Sequence, residues 1–141
     1  MVERSFTCEI AGARVRGRID RVDEDADGYV IVDYKTGIPK SQDAADNSLQ
    51  LSVYALAMGG SKPVKALIFQ NLGDNSTVQT TRSREDLLKT EAKIAQVAAG
   101  ISAGQFEPKT GHHCNYCAYR TICPEMEVTV PAPIGETVDS N

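Results

Sequence analysis

Asp20, Asp33 and Lys35 are the residues whose types and spacing are best suited to chemistry. They lie in one stretch, residues 17–37, reading GRIDRVDEDADGYVIVDYKTG. Two apolar-rich runs there flank an acidic turn, Asp23 to Gly28, which ends in Asp-Gly, a strong hairpin signal. Asp33 and Lys35 are two apart, so on a strand they project from one face. A hairpin brings Asp20 alongside them. Two carboxylates and an ammonium at one point can hold a divalent metal and cleave a phosphodiester. The competing reading is solvated acids near a turn, since charged side chains are mostly exposed. Asp33 weighs against it. It closes the apolar run Tyr29 to Val32, where a carboxylate is costly unless paired or metal-bound.

The elements that must position these residues follow from periodicity. Arg4–Ile10 alternates as a strand, with Phe6, Cys8 and Ile10 on one face. After the Ala11-Gly12 turn, Arg14–Val22 is a second strand. Its apolar side carries Val15, Gly17 and Ile19; Arg14, Arg16, Arg18 and Asp20 share the other. Tyr29–Lys35 is the third strand. Residues 36–45 read as a loop, because Gly37 and Pro39 break regular structure. Asn47–Met58 reads as a helix closed by Gly59-Gly60, with Leu49, Val53 and Leu56 as its core stripe. Gln50 and Tyr54, four apart, sit together on an adjacent part of its surface. Val64–Asn71 is a fourth strand and Thr77–Thr81 a polar edge strand. Ser83 caps a long helix to about Ala103, with Glu85 and Asp86 in its first turn. Leu87, Leu88, Ile94, Val97 and Ile101 form its expected buried side. Three meandering strands, a helix, two more strands and a helix make an α+β domain, α/β-like in having a mixed central sheet flanked by helices.

The 141 residues suit one domain. No run is long enough to span a membrane, and the start lacks a signal-peptide pattern. The net charge of −4 is unevenly spread. Residues 125–141 hold Glu125, Glu127, Glu136 and Asp139 and no Lys or Arg, which leaves residues 1–124 balanced. An acidic, Pro-containing segment of this kind is expected to be disordered. Of four cysteines, Cys114, Cys117 and Cys123 cluster and Cys8 stands apart. That pattern fits a reducing, cytoplasmic setting and a metal or cluster role for the three. Zinc is one candidate, with His112 or His113 as fourth ligand. Cys8 is another possible ligand, although its apolar strand face favours plain packing.

Taken in order, Gly17-Arg-Ile-Asp20, Asp33-Tyr-Lys35 and Gln50-Leu51 with Tyr54 resemble the motifs of the RecB-type branch of the PD-(D/E)XK nuclease superfamily. Cys114-x2-Cys117-x5-Cys123 resembles the iron–sulfur staple of its AddB-like members. The resemblance covers roughly residues 3–124, including the cysteine segment 112–124. It implies a restriction-endonuclease-like core and a metal-dependent DNA nuclease, an exonuclease of a helicase–nuclease repair or recombination system. Asp20, Asp33 and the carbonyl of Tyr34 would hold Mg²⁺ or Mn²⁺. Lys35 would act on the attacking water or the phosphate. Gln50 and Tyr54 would line the cleft, and the cysteines would hold a 4Fe–4S cluster, with Zn²⁺ as the rival. The family carries a helix before the first strand and a fourth cysteine upstream. This sequence begins at the first strand, so it is expected to be an N-terminally truncated form of such a domain, with self-association covering an exposed apolar sheet face. Arg14, Arg16 and Arg18 are expected on the DNA backbone. The alternatives are an inactive DNA- or partner-binding remnant, or a zinc-binding interaction module.

Overall fold

The computed structural model describes residues 2–125. The expected acidic segment lies outside them apart from Glu125. The chain divides into two units, Met1–Gly104 and Gln105–Asn141. The first contains a five-stranded mixed sheet in the order β1-β2-β3-β4-β5. Its strands are β1 (Val2–Ile10), β2 (Ala13–Asp25), β3 (Gly28–Lys35), β4 (Val64–Asn71) and β5 (Thr77–Thr80). β1, β2 and β3 form an antiparallel meander, β3 and β4 are parallel, and β5 returns antiparallel to β4. A parallel neighbour requires a crossover. It is supplied by two helices, α1 (Gln42–Asp46) and α2 (Leu49–Met58). The last helix of this unit, α3, spans Arg84–Ser102.

The hairpin between β2 and β3 closes as its sequence implies. Asp25 Oδ1 accepts from the amides of Asp27 and Gly28, at 2.9 and 3.1 Å. Gly28 has φ +147°, and a Cβ there would lie 2.2 Å from the Pro63 carbonyl oxygen. Only glycine tolerates both conditions. Ile19, Val22, Ile31, Leu51 and Leu67 are fully buried between this sheet and α2.

Three expectations need correcting. Residues 36–45 are not all loop, because α1 begins at Gln42. Ser41 accepts from the Ala44 amide at 3.2 Å and starts the turn beyond the Gly37 and Pro39 breakers. The helix after it starts at Leu49, capped by Ser48, and its buried stripe is rotated. Leu51, Ser52, Tyr54, Ala55 and Met58 face inward, whereas Leu49 is exposed and Val53 and Leu56 are half-buried. Hydropathy alone selects the wrong face because Tyr54 and Ser52 carry their polar groups inward to waiting partners. Finally, α3 has the expected capping box between Ser83 and Asp86 but not the expected burial. Leu87 packs on the core and Ile94 is half-buried, but Leu88, Val97 and Ile101 are 50–57% exposed. The C-terminal half of α3 stands off the β1–β2 hairpin. It leaves a cleft of about 610 Å³ lined by Val15, Leu49, Ile94, Val97 and Ile101. Among the described residues no helix is long and apolar enough to cross a membrane.

Candidate active site

Strand β3 delivers Asp33 and Lys35 to the face covered by α2. Asp33 is 2% exposed. Its Oδ2 is buried and accepts no well-aligned hydrogen bond among the described residues; its contact is the Lys35 ammonium at 2.6 Å. Lys35 Nζ also donates to Gln50 Oε1 at 2.8 Å and lies 4.8 Å from the centre of the Phe69 ring, a cation–π contact. Gln50 Nε2 donates to the Tyr54 hydroxyl at 2.8 Å. That hydroxyl has one proton. The Arg18 carbonyl at 3.0 Å is its better acceptor, with Asp33 Oδ1 at 3.4 Å a weaker one. Burial first, and then the charges of Asp33 and Asp20, push the Tyr54 phenol above its ordinary value, so it stays protonated at neutral pH.

Asp20 reaches this group through a break in strand alternation. Ile19 and Val22 are both fully buried although three apart, so the two-residue period slips once between them. The β1 register places Glu3 opposite Asp20, and Glu3 has φ +52°, a strained value for this residue. Counted from Arg18, Asp20 would share the arginine face; counted back from Val22, it shares the Asp33 face. The Tyr54 phenol feels its charge, and Asp20 Oδ2 accepts from the Tyr34 amide at 2.9 Å. Asp20 therefore sides with Asp33, which corrects the expected parity with Arg14, Arg16 and Arg18.

The ladder between β2 and β3 stops at Arg21 opposite Val32. The Lys35 carbonyl is taken by the Leu72 amide on the β4 side. Successive strand residues point their backbone groups to opposite neighbours, so the carbonyl of Tyr34 faces the open end beside Asp20. Two carboxylates and a free-facing carbonyl are hard oxygen donors that suit a cation retaining several waters. The buried Asp33 oxygen, which accepts no well-aligned hydrogen bond, fits such an ion. Among the described residues no three His, Cys, Asp or Glu side chains gather at one point, so water would complete the shell.

Arg14, Arg16 and Arg18 are exposed, and Arg14 and Arg16 edge the cleft beneath α3. Arg18 pairs with Glu3 at 3.7 Å, but both side chains are about two-thirds exposed, and such pairs contribute little. Arg21, which the motif reading passed over, makes a two-point contact with Asp23 at 2.8 and 2.9 Å.

The second unit is described by itself. A 3-10 helix spans His112–Tyr116, and turns follow it through Ile122. Cys114 and Cys123 are half-buried, Cys117 is exposed, and all three are free thiols. They are not gathered into a group that could hold a metal, and neither His112 nor His113 joins them. His113 Nε2 instead contacts the Lys109 carbonyl at 2.9 Å, and His112 packs on Tyr116. As arranged here, these side chains do not fit a cluster or a zinc ion. Cys8, in β1 of the first unit, is half-buried like Phe6 on the same face, between the exposed Thr7 and Glu9.

The sequence profile of the PD-(D/E)XK nuclease superfamily matches residues 1–124. The Gene 69 protein of Mycobacterium phage L5 is 31% identical over 140 residues, covering 87% of this chain and 44% of that protein. A solved structure described as the crystal structure of SSO0001 superposes with a TM-score of 0.57 at 20% identity. That match covers 88% of this chain and 59% of the other. The likeness at this identity concerns the fold. The mixed sheet with flanking helices is consistent with the restriction-endonuclease-like architecture. The chain thus spans less than two thirds of the length of either protein.

Proposed function

Because the chain belongs to the PD-(D/E)XK nuclease superfamily, we propose that it is a divalent-metal-dependent DNA nuclease with its centre at Asp20, Asp33 and Lys35. The observation that carries this reading is the buried Asp33 oxygen, matched by no well-aligned hydrogen bond, beside the Lys35 ammonium. A buried carboxylate of that kind is costly unless it serves a cation. Asp20, Asp33 and the Tyr34 carbonyl would hold Mg²⁺ or Mn²⁺. The ion would supply an activated water and neutralise charge on the attacked phosphate. Lys35 is within reach to donate to that phosphate or to orient the water. Gln50 holds the ammonium in place, and Tyr54, protonated, fixes Gln50 while tying α2 to the Arg18 carbonyl.

The finer parts of the proposal rest on the ordered motifs. They are exonuclease action, a RecB/AddB-type lineage, a helicase partner and a role in DNA repair or recombination. End-labelled single- and double-stranded DNA incubated with Mg²⁺, Mn²⁺ or EDTA tests the central claim. Cleavage with metal and none with EDTA is expected, with mononucleotides as the early product. Internal fragments would point to an endonuclease. Absence of metal-dependent cleavage by a folded chain would favour a DNA-binding remnant. Arg14, Arg16 and Arg18 are proposed to contact the DNA backbone. Replacing all three by alanine should flatten the salt dependence of binding, by about 1 in the log–log slope for each phosphate that is no longer neutralised. An unchanged slope would remove the arginines from the interface.

The cysteine segment is proposed to hold a 4Fe–4S cluster in the loaded protein, after rearranging and recruiting a further ligand. Protein purified without oxygen should be brown with broad visible absorbance. Colourless protein with one zinc per chain would replace the cluster by zinc, and metal-free protein would remove both.

A further inference from the structure

Arg82 lies between β5 and α3, away from the motif residues in sequence. A guanidinium has five N–H donors in a fixed fork, and five acceptors surround this one. Nε donates to Ser52 Oγ at 2.6 Å. Nη1 donates to Thr80 Oγ1 at 3.0 Å and to the Thr81 carbonyl at 2.8 Å. Nη2 donates to the carbonyls of Ala45 at 2.7 Å and Ser48 at 3.1 Å. All five acceptors are neutral. Burial opposes its charge, and Asp86 and Asp46 favour it through space. Partly desolvating a guanidinium without a bonded carboxylate carries a cost, and the fork offsets it through what it holds together.

The fork grips the elbow between α1 and α2. The Ala45 carbonyl belongs to α1, Ser48 is the N-cap of α2, and Ser52 lies in its second turn. Ser48 also caps α2 through the Leu51 amide at 3.2 Å, and Ser52 Oγ donates to the Ser48 carbonyl at 3.0 Å. Gln50 sits midway between these two serines. Its reach to Lys35 at 2.8 Å depends on how this first turn is rotated.

We propose that Arg82 is a positioning residue of the candidate active site: it locks the α1–α2 elbow so that Gln50 and Tyr54 meet Lys35 and Asp33. Its kinetic consequence rests on the nuclease reading; its structural consequence does not. Lysine at this position keeps the charge but can satisfy three of the five acceptors and lacks the planar fork.

The test compares Arg82→Lys with wild type, alone and combined with Gln50→Ala, in the full chain and well below each variant's unfolding midpoint. With Mg²⁺ and an end-labelled oligonucleotide, Arg82→Lys should lower kcat on the order of 10- to 100-fold, with KM changed less than about twofold. In the Gln50→Ala background the same change should cost less than about threefold, because the group that the elbow brings to Lys35 is already gone. Unchanged kcat, or losses that multiply fully in the double variant, would overturn the proposal. A second readout needs no catalysis. The Gln50 side-chain amide protons, followed by NMR, should exchange faster in Arg82→Lys while amides in the C-terminal half of α3 stay unchanged. Equal Gln50 exchange in the two proteins would overturn the proposal even if wild type cleaves no DNA. Silence of wild type in the DNA assay with accelerated Gln50 exchange in the variant would reject the nuclease reading and keep the positioning role.

Discussion

Lys35→Ala is expected to reduce metal-dependent DNA cleavage by about 100- to 1000-fold, of the order seen when a donor to transition-state charge is removed. It is also expected to destabilise the fold. Asp33 is 2% exposed, and its Oδ2 has the Lys35 ammonium as its contact. Removing the ammonium leaves a buried carboxylate oxygen unpaired, which costs about 2 kcal/mol even with some water entering past the half-buried alanine. Asp33→Asn separates the two effects. Added to Lys35→Ala it removes the stranded charge, so thermal stability in EDTA should recover while cleavage stays absent. A double variant no more stable than Lys35→Ala would show that the pair is not coupled as its geometry indicates. Mg²⁺ should raise the unfolding midpoint of wild type by mass action and leave that of Asp20→Asn/Asp33→Asn unchanged. Equal shifts in both would remove these carboxylates from the metal site.

The second large effect is expected at Gly17. A Cβ there would lie 2.5 Å from Phe6 Cζ and 2.6 Å from Cε1. Phe6 meets the Tyr54 ring edge-to-face, with centroids 6.1 Å apart at 85°. The glycine thus makes room for a ring whose far side sets the tyrosine of the candidate active site. Gly17→Val forces Phe6 off β2 and into Tyr54. The overpacking should cost about 2 kcal/mol, and displacement of the hydroxyl network should slow cleavage about tenfold. Thermal denaturation and the oligonucleotide assay read these two losses. Phe6→Leu in the Gly17→Val background should return part of both by freeing the space. A Gly17→Val chain as stable and active as wild type would show that Phe6 has somewhere else to go.

Much of the candidate site was legible in the sequence because its residues are close together along the chain. The Asp-Gly turn fixes the hairpin, and the i, i+4 relation places Gln50 beside Tyr54. Those two rules are local and tolerate errors of one or two residues at element ends. What was not legible depends on contacts between distant segments. The slip that turns Asp20 toward Asp33 leaves no mark in a pattern of alternating arginines and apolar residues. Its visible trace is the positive φ of Glu3 on the neighbouring strand. The face of α2 was misread because its inward polar atoms are matched by Arg18 and Arg82, neither of which is near it in sequence. The short α1 is announced by Ser41, an N-cap signal as local as the Gly37 and Pro39 breakers before it. Apolar spacing on α3 described a helix correctly but not what covers it, since periodicity gives a face and no partner.

Asp20, Asp33, Lys35, Gln50 and Tyr54 all come from one continuous stretch of two strands and the two helices that follow. Nothing in that stretch has to be threaded through the remainder of the fold. One segment therefore carries the reactive groups, although its two strands are completed by β1 on one side and β4 on the other. Arg82 is a tie from outside that segment, as are Phe6 against Tyr54 and Phe69 against Lys35. Recombination that replaces everything beyond β4 would transplant the reactive groups and discard the residue that aligns them. In lineages descended from such an event, the substitute for that tie should be sought wherever a new segment reaches the elbow between α1 and α2.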